Sequence, residues 1–136
     1  MMTRDPETGA SANVEMIVRH EDTAAAVSPV TGESYPVVLA TTRCIALCEL
    51  AAGRILAPLL SPGELSVGVV VNVTHTAATP VGALAKATAR YTGREGKLFA
   101  FDVVVEDPAG ECMRGVHKRA VIDEKRLLEG ARKRGP

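Results

Sequence analysis

The sequence predicts an α+β fold in which a curled antiparallel sheet surrounds one long helix, and three observations lead to this prediction. Residues 41–60 form a nearly continuous apolar segment with the length of a helix. Four later segments alternate apolar and polar residues, and tight turns join them, as in antiparallel sheets. Because the helix is apolar almost all round, we expect the sheet to wrap it.

The predicted elements follow one another in a simple order. Residues 14–19 form a first strand, and a connection rich in Ser, Thr, Gly and Pro leads to the helix at 41–60. Thr41 or Thr42 is the expected N-cap of this helix, and Pro58 marks its end. The remaining elements are strands at 67–76, 83–92, 97–106 and 112–122 and a short helix at 123–130.

The length of 136 residues suits a single domain, which we place at residues 14–130. Residues 1–13 are expected to be a flexible N-terminus, and residues 131–136 form a short basic tail. The formal net charge is zero and only 3% of the residues are aromatic, which argues against a nucleic-acid partner. No apolar run reaches the ~18 residues of a membrane helix and no secretory signal is visible, so we expect a cytoplasmic protein without a membrane partner.

The three cysteines, Cys44, Cys48 and Cys112, lack the spacing of a disulfide framework or of a metal site. We interpret them as free thiols, and we interpret Cys44 and Cys48 as small core residues of the helix. No metal is therefore expected.

A run of alternating valines ends in a histidine. Every second residue from Val67 to Val73 is a valine, and His75 continues the series, so all are predicted to lie on one face of the strand. Gly68 falls on the opposite face in this alternation. An imidazole is the usual proton carrier near neutral pH, although a histidine at a strand end can also be purely structural.

Glu49 lies in the middle of the apolar helix, where a carboxylate needs a hydrogen bond or a cation. An exposed position or an ion pair with Arg54 would be the structural explanation. Thr41 lies eight residues earlier, about two helical turns away, so only a ligand could bridge the two. A carboxylate, the imidazole of His75 and a hydroxyl are together the groups of an acyl-transfer site, and free N–H groups at the helix start suit an oxyanion.

Residues 73–82, VTHTAATPVG, resemble the histidine motif of the fluoroacetyl-CoA thioesterase family, a branch of the hotdog-fold acyl-CoA thioesterases. Residues 40–68 resemble that family's central helix and the turn after it, and residues 117–123, HKRAVID, resemble its last strand. The resemblance covers about residues 35–123. It implies a hotdog fold and hydrolysis of a short acyl-CoA to the free acid and coenzyme A, which is part of the substrate, so that no cofactor is needed.

The same resemblance implies a catalytic set of Thr41, Glu49 and His75. Glu49 would attack the thioester carbonyl or activate water, His75 would transfer protons, and Thr41 would orient Glu49. On this interpretation the strand brings His75 beside Glu49. The resemblance further implies a homodimer with its active sites at the subunit interface.

Substrate-contacting roles are implied for Tyr35, Gly68 and Arg119. Tyr35 and Gly32 stand where the family has phenylalanines of an apolar lid, which leaves the preferred acyl group open. Lys86, Arg90 and Lys118 are candidates for contacts with the phosphates of coenzyme A, or are solvated strand residues. Two other functions stay open: a non-catalytic binder of an acyl thioester or small acid, and a hotdog hydratase or dehydratase.

Overall fold

A computed structural model of the chain describes residues 4–135, so the outermost residues of the predicted N-terminal segment and basic tail, 1–3 and 136, lie outside the described residues. The described part contains one antiparallel sheet of five strands in the order β1-β3-β4-β5-β2. Its strands are β1 (Ser11–Ile17), β2 (Glu64–His75), β3 (Leu84–Glu95), β4 (Leu98–Asp107) and β5 (Gly110–Asp123). Tight turns join β3 to β4 and β4 to β5, as predicted, and β1 and β2 form the two edges.

Within residues 4–135, three α-helices accompany the sheet: α1 (Ala24–Val27), α2 (Thr41–Leu56) and α3 (Glu124–Arg132). Helix α2 is the predicted long helix, and it passes into a 3-10 turn that contains Pro58. Its predicted cap is wrong. Ala40 is the N-cap residue and no side chain caps the helix, so Thr41 is the first helical residue and its hydroxyl is available for another contact. None of the described helices has the length and hydropathy needed to cross a membrane.

The core lies between α2 and the inner face of the sheet, which confirms the predicted hotdog arrangement. Strand β3 contributes alanines to this face, and their small side chains allow the helix to approach closely. Strand β4 contributes the larger residues Phe99, Phe101, Val103 and Val105. The three cysteines are free thiols, and Cys44 and Cys48 are buried in this core as predicted. Cys112 is buried there as well. The helix is not enclosed on all sides, because Leu50 is 55% exposed on the side away from the core.

A β-bulge in β2 changes which residues face the helix. Gly68 pairs with Arg119 and Val70 pairs with Lys118, so Val69 is an extra residue between two ladder positions. The bulge puts Gly68 on the same face as His75, although strict alternation predicts opposite faces. The predicted valine series is therefore interrupted at Val69.

The N-terminal segment makes defined contacts with β3. Strand β1 begins at Ser11, three residues before the predicted strand, and Ser11 pairs with Arg90. Further out, Gly9 N–H donates to the carbonyl of Tyr91 at 2.8 Å, and Asp5 forms an ion pair with Arg94 at 2.9 Å. The flexibility expected for residues 1–13 stays a prediction.

Candidate active site

Thr41 and His75 are in direct contact. The first residue of α2 places its Oγ1 2.8 Å from Nδ1 of His75, which is the last residue of β2. The hydroxyl is free for this bond because Ala40, rather than a threonine, occupies the N-cap position. The structure therefore joins two of the three residues implied by the resemblance.

Cys44 contacts the other nitrogen of the same imidazole, with its Sγ 3.8 Å from Nε2 of His75. The His75 imidazole therefore lies between the Thr41 hydroxyl and the Cys44 sulfur. Sequence reasoning missed this role because it assigned Cys44 only to the core.

The thiols themselves are poorly suited to nucleophilic chemistry. Burial raises the pKa of both Cys44 and Cys48 to about 12. Burial also raises the pKa of Cys112. Because the thiolate is the reactive form, these side chains are inert near neutral pH.

Glu49 occupies a second group of polar residues farther along α2. Its Oε2 is 3.5 Å from the Arg119 guanidinium, so the expected alternative pairing with Arg54 is wrong. Arg54 instead reaches the carbonyl of Asn13 at 3.3 Å. The Glu49 carboxylate lies directly over Gly68, where an added Cβ would come within 2.4 Å of Oε2. Only glycine leaves this space for the carboxylate.

Arg119 is held by several groups, which fix its direction. It donates to the Ser66 hydroxyl at 3.0 Å, to the Ser66 carbonyl at 2.9 Å and to Nε2 of His117 at 3.1 Å. Burial lowers the pKa of Arg119, and the Glu49 carboxylate opposes this effect. Burial also lowers the pKa of His117. The family resemblance implies a role for Arg119 but none for His117.

The Thr41–His75 pair and the Glu49–Arg119 pair do not touch within one protomer. Thr41 and Glu49 are about 12 Å apart along the helix axis, at ~1.5 Å per residue. Among residues 4–135 the partner of Glu49 is Arg119, whereas His75 contacts Thr41 and Cys44. The expectation that β2 brings His75 beside Glu49 is therefore wrong for a single chain.

Tyr35 lies at the mouth of a cleft beside the start of α2. The cleft has a volume of about 440 Å³ and is lined by Tyr35, Thr41 and Thr42 together with residues of α1 and the segment after it. Tyr35 is 51% exposed. A second cleft of about 280 Å³ is lined by Thr41 and His75. Thr41 thus borders both clefts, and His75 borders the smaller one.

The other predicted cations have acidic neighbours. Lys118 forms an ion pair with Glu95 at 2.7 Å, and Arg90 lies 3.6 Å from Asp102. Lys86 is directly opposite Glu106 in the sheet. These pairings fit the solvated-strand interpretation better than a phosphate site.

Comparisons with known proteins agree with this architecture. The sequence profile of the fluoroacetyl-CoA-specific thioesterase family matches residues 18–125. The fluoroacetyl-CoA thioesterase of Streptantibioticus cattleyicolor is 39% identical over 102 residues, which are 75% of this chain and 73% of that enzyme. A solved structure of a fluoroacetyl-CoA thioesterase has a TM-score of 0.90 at 34% identity, covering 98% of this chain and 100% of that one. A thioesterase superfamily member from Thermus thermophilus has a TM-score of 0.86 at 25% identity, covering 96% and 94%.

Proposed function

Because the chain belongs to the fluoroacetyl-CoA-specific thioesterase family, we propose that it hydrolyses the thioester bond of a short acyl-CoA with Thr41, Glu49 and His75. The observation that carries this proposal is the hydrogen bond between Thr41 and His75 at the border of two clefts. The Glu49 carboxylate over Gly68 supplies the third group. Coenzyme A enters as part of the substrate, no cofactor or metal takes part, and the enzyme works in the cytoplasm.

Two routes use these residues. In the first, a Glu49 oxygen attacks the thioester carbon, the C–S bond breaks to form a mixed anhydride, and water then hydrolyses the anhydride. In the second, Glu49 takes a proton from water, and the resulting hydroxide attacks directly. In both routes His75 gives a proton to the departing sulfur, and N–H groups in the first turn of α2 stabilise the oxyanion. A single turnover in ¹⁸O-water separates the routes, because only the first can label Glu49.

The separation of the two polar groups favours a site shared between protomers of a homodimer. Strand β2 lies at an edge of the sheet, where another strand can pair with it, and its Leu65, Val69 and Val71 are exposed, as is Leu50 of α2. Pairing two copies through this edge would bury these apolar residues. It would also allow Glu49 of one protomer to act with Thr41 and His75 of the other.

Subunit complementation tests the shared site. Glu49→Gln and His75→Ala protomers are each expected to be inactive as homodimers. If the site is shared, their mixed dimer contains one intact site, and a random mixture regains about a quarter of the wild-type rate. If all three residues act within one protomer, the mixture stays inactive. Native mass spectrometry establishes that mixed dimers have formed, because the two variant chains differ in mass.

The main test is release of free thiol from acetyl-, fluoroacetyl-, propionyl-, malonyl-, phenylacetyl- and long-chain acyl-CoA. Turnover that is lost in Glu49→Gln and His75→Ala but kept in His20→Ala supports the proposal, because His20 is an exposed histidine outside the site. Absence of thiol release from every compound would favour the acyl-thioester binder. Addition of water to an enoyl-CoA without thiol release would favour a hydratase.

The acyl preference is expected to depend on Tyr35. Its hydroxyl makes the cleft entrance more polar than a phenylalanine would, and Gly32 has no side chain where the resemblance implies a second lid phenylalanine. We therefore propose that the enzyme accepts acyl groups larger than fluoroacetyl. Tyr35→Phe should change the ratio of kcat/KM values among the acyl-CoAs more than it changes the largest of them. An unchanged ratio would exclude Tyr35 from substrate selection.

A further inference from the structure

His117 is a buried histidine whose hydrogen bonds leave only one arrangement of protons. It lies in β5, pairs with Val71 of β2 and is 1% exposed. Its Nδ1 is 2.8 Å from the carbonyl oxygen of Val70, and its Nε2 is 3.1 Å from the Arg119 guanidinium. A carbonyl only accepts and a guanidinium only donates, so Nδ1 carries the proton and Nε2 accepts. His117 is therefore a neutral imidazole in this state.

The acceptor nitrogen of His117 faces the same guanidinium nitrogen that reaches Glu49. NH1 of Arg119 lies 3.1 Å from Nε2 of His117 and 3.5 Å from Oε2 of Glu49. The charged groups that face His117 are Arg119 on its own strand and Glu49 on α2. From β2, the carbonyl oxygen of Val70 contacts the ring, and Gly68 lies beside the ring without a side chain. His117 thus completes the set of acceptors that hold Arg119 in place.

We propose that His117 is a positioning residue: as a neutral imidazole it accepts a hydrogen bond from Arg119 and holds the guanidinium beside the Glu49 carboxylate. The inference rests on the proposed thioesterase function of this site. The need for a neutral His117 also makes the site sensitive to acid. A protonated His117 donates from both nitrogens, so it cannot accept from Arg119, and two cations would then lie 3.1 Å apart. Arg119 would leave its position beside Glu49.

Two amide substitutions at His117 test the two hydrogen bonds of the ring one at a time. The amide of glutamine lies near the position of Nε2, so His117→Gln keeps a non-titrating acceptor for Arg119. The amide of asparagine lies near the position of Nδ1, so His117→Asn keeps the donor to Val70 and loses the acceptor. Lys118→Gln is the control, because Lys118 is the next residue and pairs with Glu95 outside the site.

The first measurement is kcat/KM between pH 4.5 and pH 8. We expect His117→Asn to lose about tenfold to a hundredfold at pH 7, the effect of removing an acceptor from a charged donor. We expect His117→Gln to keep most of the activity and to lose one ionisation from the acid limb. Lys118→Gln should match wild type. An acid limb that is the same in wild type and His117→Gln, or equal losses in the Asn and Gln variants, would overturn the proposal.

The second measurement does not depend on turnover. The ¹⁵N chemical shifts of His117 in the free wild-type protein should show a protonated Nδ1 and an unprotonated Nε2 at pH 7. A proton on Nε2 would overturn the positioning role even if the enzyme is active. If no acyl-CoA is hydrolysed, the thioesterase proposal fails on its own, while the shifts still decide how His117 holds Arg119.

Discussion

The hydroxyl of Thr41 lies 2.8 Å from Nδ1 of His75, and this bond connects the first residue of α2 to the last residue of β2. The bond orients the imidazole from one side while the Cys44 sulfur contacts it from the other. Any change that removes the hydroxyl should leave the fold intact and release one side of the ring.

Thr41→Val should therefore lower kcat by about tenfold or more, because it removes a hydrogen bond and leaves the shape of the side chain unchanged. Thr41→Ser should keep most of the activity. Thr8→Val is the control, since Thr8 is an exposed threonine in the turn before β1 and lines neither cleft. Thiol release measures the loss of activity, and thermal melting shows whether the fold is kept. Equal losses in Thr41→Val and Thr8→Val would contradict the role of the bond.

Gly68→Ala should reduce activity while the protein stays folded. The added methyl group would come within 2.4 Å of Oε2 of Glu49, the mobile end of a side chain, so the carboxylate moves rather than the backbone. The comparison variant is Gly53→Ala, where no atom lies within 4 Å of the added Cβ. That change lies inside α2 and should stabilise the protein by about 0.5–1 kcal/mol without affecting turnover. Full activity in Gly68→Ala would show that the Glu49 position is not critical.

Stability should fall at alkaline pH because of the buried thiols. Burial raises the pKa of Cys48 from 9.0 to about 12, so above pH 9 the unfolded chain loses this proton before the folded protein does. The unfolded state then binds fewer protons, and the free energy of unfolding decreases by up to about 1.4 kcal/mol per pH unit for each such thiol.

Urea unfolding at pH 9, 10 and 11 measures this slope. Cys48→Ala removes one thiol without touching the Cys44–His75 contact and should make the decrease shallower. The free energy of unfolding of Cys48→Ala at pH 7 measures the cost of the cavity that this substitution creates. Parallel slopes in wild type and Cys48→Ala would show that Cys48 ionises equally easily in both states.

Asp22→Asn should destabilise the segment that positions Thr41. The buried Asp22 carboxylate accepts from the backbone N–H of Arg19 at 2.9 Å and pairs with Arg43 at 3.2 Å. Its backbone oxygen accepts from Ala40 N–H at 2.9 Å, directly before α2. We expect a loss of about 1–3 kcal/mol in urea unfolding. Glu21→Gln, an exposed neighbour, should change stability by no more than about 0.5 kcal/mol, and a similar loss there would contradict the assignment.

The sequence predicts the elements that depend on local pattern. The apolar length of α2, the position of Pro58 and the tight turns between β3, β4 and β5 all follow from nearby residues. The pairing of Glu49 with Arg119 does not, because it joins residues 70 positions apart, and Arg54 was closer in sequence. The contact between Cys44 and His75 was missed for the same reason. The N-cap was misplaced because Ala40, the residue at the cap position, is held by a hydrogen bond from its N–H to the carbonyl of Asp22, a contact between residues 18 positions apart.

The extra residue at Val69 determines which faces of β2 are occupied by Gly68 and His75. Gly68 and His75 are separated by an odd number of positions, and an odd separation in a regular strand would place them on opposite sides of the sheet. One unpaired residue turns the odd separation into an effectively even one, so that both face α2. Deleting Val69 would keep every proposed catalytic side chain, yet either the glycine or the histidine would then turn towards solvent. A relative that lacks this extra residue can keep the same site only if the spacing between its glycine and histidine is even.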